Sequence, residues 1–175
     1  MEAALQPTTT PFATIFHENA PLVWRALRRL GVGESDIEDL SQEVFVIVHR
    51  KLPEFEGRSK ITTWIYGICV RVASDHRRRA HVRREQPTDD VPEERKSAPQ
   101  IHELEREQAR AMLDRALSTL DVDKRAVFVL YEIEQVEMPE IAHAVSCPLQ
   151  TAYSRLYAAR KLVRAEMERL VGGGR

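Results

Sequence analysis

The stretch MPEIAHAVSCPLQTAYSRLYAARKLVR, residues 138–164, reads as two helices joined by a tight turn. Ile141, Ala142, Val145, Leu149, Ala152 and Leu156 fall at helical spacing and supply interlocking apolar positions. Ala142 is small enough to let the helices approach closely, and the turn falls at Ser146–Cys147. Pro148 opens the second helix, where its missing N–H costs nothing. That helix presents Gln150, Thr151, Tyr153, Ser154, Arg155, Arg160 and Lys161. In a helix-turn-helix, such a helix enters the major groove, with basic groups on phosphates and polar groups on base edges. An ordinary αα-hairpin with a solvated basic face has the same spacing. Residues 148–165 carry four bases and no acid, which favours DNA.

Helical spacing extends outward in both directions, with no sustained period-2 segment. Before the GGG tail at 172–174 the only glycines are Gly31, Gly33, Gly57 and Gly67. No glycine-rich phosphate loop is present, which argues against a nucleotide-binding α/β enzyme. The fold class is therefore all-α: two small helical domains, 11–84 and 101–171, joined by a flexible linker. The linker is 85–100, EQPTDDVPEERKSAPQ, with three prolines and no aromatic residue. A first helix is expected over 11–30, with Pro21 kinking or splitting it. A second starts after Ser35, with Ser35 and Glu38 as a capping box, and ends at Pro53. EFEGRSK (54–60) is a loop, and a third helix covers 62–84. Beyond the linker, helices are expected near 101–118, from a cap at Asp121 or Asp123 to about 134, over 138–145, and from 148 to about 170.

The net charge of −1 hides strong segregation. Residues 34–43 hold five acids and no base, whereas residues 71–84 hold six arginines and one acid. Residues 85–107 are acidic again. Alternating blocks imply separate surfaces with separate partners. The two cysteines, Cys69 and Cys147, lie far apart in apolar or turn contexts, so no disulfide framework is expected. The longest apolar runs, VFVIV (44–48) and AVFVLY (126–131), are too short to span a membrane, and the first basic residue is Arg25, so no signal-peptide start is read. A cytoplasmic protein is expected.

The helix at 62–85 has an apolar end with Trp64 and Tyr66 and an arginine end with Arg71, Arg77, Arg78 and Arg79. Opened single strands need stacking platforms and duplex DNA needs phosphate neutralisation. One helix offering both suits a junction between the two, although an arginine cluster is by itself usually a solvated face. Asp39, Gln42 and Glu43 share the polar side of the second helix. Metal or catalytic carboxylates are one reading, a solvated face the simpler one, and a dock for a basic helix a third. His143 and Cys147 sit four apart with no second ligand pair nearby, so no metal site is assigned. Cys69 reads as core.

Taken together, DIEDLSQEVFVIVHRKLPEFEG, then TTWIYGI, then a linker, then LSTLDVDKRAVFVLYEIEQVEMPEIAHAVSCPLQTAYSRLYAAR resemble the extracytoplasmic-function group of the sigma-70 family. The resemblance covers about 11–165, with two unrelated motif blocks in order. It implies that Asp39, Leu40, Gln42, Glu43 and Phe45 bind the clamp coiled coil of core RNA polymerase. It implies that the loop Phe55, Glu56, Gly57, Arg58, Ser59 and Lys60 opens the −10 element and captures a flipped base, and that Arg71, Arg77, Arg78 and Arg79 hold −10 DNA. Gln150, Thr151, Tyr153, Ser154, Arg155, Arg160 and Lys161 would read the −35 element. An anti-sigma partner is expected from the resemblance only. Ser146 replaces the usual turn glycine, Arg58 stands where an acid or polar residue is common, and Gly67 and Cys69 replace more usual helix residues. The expected function is a monomeric promoter-specificity factor without enzymatic activity, cofactor, metal or membrane insertion. The rival is a stand-alone helix-turn-helix regulator whose N-terminal half senses a signal.

Overall fold

The computed structural model describes residues 11–84 and 101–172, and within them every regular element is helical. The region 85–100 read as a linker lies outside the described residues. The first half comprises α1 (Phe12–Arg29), α2 (Glu34–Lys51), a short 3₁₀ turn (Leu52–Glu54) and α3 (Ile61–Arg84). The second comprises α4 (Ile101–Ser118), α5 (Val122–Phe128) running into a π turn (Val129–Ile133), α6 (Met138–Ala144) and α7 (Leu149–Gly172).

Helix ends follow local chemistry. α1 runs unbroken through Pro21. It closes with Gly31 N–H donating to Arg28 O (2.9 Å) and Val32 N–H to Leu27 O (3.1 Å). That is a Schellman closure, and Gly31 takes the left-handed φ of +86° that it needs. The expected capping box does not form: α2 starts two residues earlier, at Glu34, with Gly33 in extended conformation at the N-cap and no side-chain cap. Glu34 and Asp36 in the first turn complement the helix dipole instead, and Arg28 holds Glu34 at 2.7 Å. Asp121 caps α5 as expected, accepting from Lys124 N–H at 2.8 Å. Burial pushes its carboxyl up, but the Lys124 hydrogen bonds and charge outweigh that and hold it below the usual range.

The helix-turn-helix turn repeats the Schellman pattern. Ser146 N–H donates to His143 O (3.1 Å) and Cys147 N–H to Ala142 O (2.9 Å). Ser146 adopts φ +52°, so a side chain does occupy the glycine position.

Each half forms its own bundle, α1–α2–α3 in the first and α4, α5 and α6 around α7 in the second. One continuous apolar core joins them, from Val23, Leu27, Ile37 and Val48 through Ile65 and Cys69 to Leu130, Ile141 and Leu156. Burial pushes the Cys69 thiol up to about 12, so it is an inert core group. α3 forms the seam, packing on α5 and α6. Gly67 is what admits α6: a Cβ there would overlap the Ala144 carbonyl oxygen and lie 3.1 Å from its carbon. The seam is further tied by Lys60 N–H to Glu140 Oε1 (3.0 Å), Arg71 Nη2 to Ser146 Oγ (2.8 Å), and an Arg29–Glu134 ion pair.

Candidate nucleic-acid interface

On α7, Ala152, Leu156 and Ala159 are buried and face the core. The 100° step of the helix then places Gln150, Ser154, Tyr157 and Lys161 along the opposite, exposed line. Tyr157 is 64 % exposed, more than any other aromatic side chain among the described residues, and was missed by the sequence reading. Its spacing from Gln150 and Ser154 was the available signal. Tyr153 flanks this line and Thr151 is half-buried, its carbonyl accepting from the Ser154 hydroxyl at 2.9 Å.

Arg155 and Arg160 lie on the two shoulders of α7. Arg155 pairs with Asp123 of α5 at 2.5 Å. Arg160 donates to Glu132 at 2.6 Å and sits 5.5 Å from the Tyr131 ring centroid. The Glu132 hydrogen bond raises the Arg160 pKa above its ordinary value. Both arginines are thus held by acids of α5 and its π turn, leaving the central line of α7 to polar and aromatic groups.

The loop after α2 meets the start of α3. Phe55 packs against Trp64, ring centroids 5.0 Å apart at 42°. Glu56 and Arg58 pair across the loop tip, where Gly57 adopts φ +68° with open space around it. Ser59, Trp64, Ile68 and Arg71 line one side of a cavity of about 680 Å³; His143, Ser146, Cys147 and Pro148 of the helix-turn-helix line the other. The structure therefore brings the loop and Arg71 together, but not the other arginines. Arg77 lies over the α1–α2 turn at Gly31, Arg78 pairs with Asp75, and Arg79 reaches Glu43 of α2 at 3.4 Å.

On α2, Asp39 and Gln42 are exposed and Glu43 half-exposed on one side. Leu40 and Phe45 are not surface groups: they are 6 % and 4 % exposed. Phe45 packs against Phe16 with ring centroids 4.6 Å apart and tilted by 58°, and Leu40 is buried in the same core, so these two residues fix α2 to the bundle rather than present a contact. The apolar group that does project beside Asp39, Gln42 and Glu43 is Val46, 56 % exposed and one helical turn on. Among the described residues no cluster of three or more His, Cys, Asp or Glu side chains can hold a metal ion, and no helix is long and apolar enough to cross a membrane.

Comparison with known proteins matches this order of parts. Residues 15–83 match Sigma-70 region 2, and residues 110–163 match Sigma-70, region 4. The chain belongs to the extracytoplasmic-function group of the sigma-70 family. The ECF RNA polymerase sigma-E factor of Escherichia coli (strain K12) is 29 % identical over 166 residues, covering 89 % of this chain and 83 % of that one. The sigma-E factor of Haemophilus influenzae is 28 % identical over 151 residues, covering 80 % and 79 %. The sigma-70 architecture recurs in the sigma factor RpoE of Bartonella quintana, solved with the anti-sigma factor NepR: TM-score 0.64, 18 % identity, covering 94 % of this chain and 98 % of that. CnrH, solved with the cytosolic domain of CnrY, gives a TM-score of 0.58 at 21 % identity, covering 94 % and 89 %. In sigma-70 terms, α1–α3 carry region 2 and α4–α7 region 4.

Proposed function

We propose that this chain directs RNA polymerase to promoters, reading a −35 element with α7 and opening a −10 element with the 54–60 loop and α3. The observation that carries this reading is the pairing, in one chain, of region 2 with an aromatic-backed loop and region 4 with an acid-free exposed helix face. Base contacts in the −35 element fall to Gln150, Ser154, Tyr157 and Lys161, with Tyr153 and Thr151 at their edge. Arg155 and Arg160 hold flanking phosphates, aimed by Asp123 and Glu132. The loop Phe55–Lys60 encloses one extruded −10 base, whose unstacking costs a few kcal/mol and needs an enclosing site to offset it. Arg71, Arg77, Arg78 and Arg79 hold the backbone. Asp39, Gln42, Glu43 and Val46 form the dock for core polymerase, with Leu40 and Phe45 supporting them from beneath.

The factor contributes recognition and strand opening, and the polymerase supplies the reaction chemistry. It works in the cytoplasm, as one copy per polymerase. Both solved relatives were captured with an anti-sigma factor or the cytosolic domain of a partner, which supports an inhibitory partner for this chain too. The test is DNA binding with and without core polymerase. A sigma factor binds promoter duplex weakly alone and tightly with core, with protection at both elements. A stand-alone regulator binds its operator equally well without core, and that result overturns the proposal.

A further inference from the structure

The seam between the two halves carries groups that oppose its closure. A Cβ on Gly31, in the α1–α2 turn, would overlap Arg125 Nη1 of α5 and lie 3.2 Å from Arg77 Nη2 of α3. Guanidinium groups from opposite halves therefore stand side by side against one backbone point. Among the described residues no carboxylate lies within 4.0 Å of either. Arg125 is 4 % exposed. Its Nη2 donates to Leu120 O of its own half at 3.4 Å, a long contact, and its buried Nε has no partner. Burial first, and then the like charge of Arg77, lower its pKa to about 10, with Asp114, Tyr66 and Asp121 acting in the opposite sense. At neutral pH it therefore stays a cation. The Tyr66 hydroxyl of α3 is sealed from solvent and also lacks a partner. Burial pushes it well above the ordinary tyrosine range, and it lies in the fields of Arg29 on one side of the seam and of Glu134 and Arg125 on the other.

A buried polar group without a partner costs its full desolvation free energy, and a buried charge without a counter-charge costs more. Against these penalties the seam is held by its apolar core and by the ties Lys60–Glu140, Arg71–Ser146 and Arg29–Glu134. We propose that Arg77, Arg125 and Tyr66 are a built-in opening bias, which poises the two halves of the free chain to part. Parting carries Arg125 away from Gly31 and Arg77 and lets water reach the Tyr66 hydroxyl. It also releases the Lys60 N–H and the Arg71 side chain, which the closed seam commits to Glu140 and Ser146 of the second half. A partner that separates the halves thus works against a weakened seam. The bias is a property of the free chain and does not depend on promoter recognition. Only the use of Lys60 and Arg71 on −10 DNA rests on the reading above.

The test is native-state hydrogen exchange of the Lys60 amide in the free full-length chain at neutral pH. Tyr66→Phe removes the unpartnered hydroxyl and keeps the ring. Arg125→Met removes the charge and keeps an unbranched, adaptable chain. Each slows Lys60 exchange by roughly 5- to 150-fold, the reverse of what an ordinary core substitution does. Arg77→Gln slows it by up to about fivefold, since Arg77 is exposed and its charge is screened, and slows it no further in a chain that already carries Arg125→Met. Arg125→Lys keeps the charge and does not slow it. If Arg125→Met fails to fold, Tyr66→Phe and Arg77→Gln carry the test. Unchanged or faster exchange in Tyr66→Phe overturns the role of the hydroxyl. An Arg77→Gln effect that is absent, or that persists in full beside Arg125→Met, overturns the role of the paired charges.

Discussion

Gly67→Ala separates the stability of α3 from the closure of the seam. Within the helix the change is favourable, because alanine exceeds glycine in helix propensity by about 1 kcal/mol. Across the seam it is unfavourable. The new Cβ overlaps Ala144 O and lies 3.1 and 3.3 Å from its carbonyl carbon and Cα, and these neighbours are backbone that cannot rotate away. Overpacking of this kind costs typically 1–3 kcal/mol. A seam weakened by that amount opens about 5- to 150-fold more often. Native-state hydrogen exchange reads this at the Lys60 amide, which donates to Glu140 across the seam. In Gly67→Ala that amide exchanges faster by the same factor, while amides in the middle of α2, far from the seam, do not change. Small-angle scattering shows a larger radius of gyration at unchanged helicity. Unchanged Lys60 exchange in a variant of full helicity would refute the claim that Gly67 is what lets α6 seat on α3.

Other perturbations test the site. Charge reversal at Asp39 and Glu43 weakens core polymerase binding in pull-down or fluorescence titration while Tm moves little, since exposed changes usually stay within about 0.5 kcal/mol; unchanged affinity removes the docking role. Tyr157→Ala lowers −35 duplex affinity of the core-bound factor by roughly 1–3 kcal/mol and relaxes preference at one base pair, whereas Arg155→Ala weakens all sequences alike and flattens the salt dependence. Asp121→Ala removes the α5 cap and costs about 1 kcal/mol in urea denaturation. Because the folded Asp121 carboxyl is held below its ordinary value, its contribution is complete above the unfolded pKa and is lost as pH falls through the folded one; Asp121→Asn flattens that acid limb.

Periodicity and turn chemistry made the helices legible. The spacing of Ile141, Ala142, Val145 and Leu156 and the serine at the turn located the helix-turn-helix, and Ser146 takes the left-handed geometry its position demands. The capping box at Ser35 failed because Gly33 and the Arg28–Glu34 pair start α2 two residues sooner, a competition that the motif alone does not reveal. Leu40 and Phe45 were read as contacts because they belong to a motif, but a motif position does not state which way a side chain points. The angular position of Val46 and Tyr157 was available from helical spacing, whereas their exposure required the neighbouring helices. The pairing of Arg155 with Asp123 and of Arg160 with Glu132 links residues 32 and 28 apart, and no local pattern encodes it. Gly67 was legible only as an anomaly in a helix; its role needs Ala144 beside it.

In vitro transcription with purified core polymerase on a promoter library tests the central claim most directly. The account predicts that adding this chain yields initiation from promoters sharing a −10 and a −35 element. Alanine changes in Glu56–Lys60 should shift preference at one −10 base on closed duplex and lose most of their defect on templates already opened at −10. No promoter-dependent initiation with core, or operator binding that proceeds equally well without core, contradicts it.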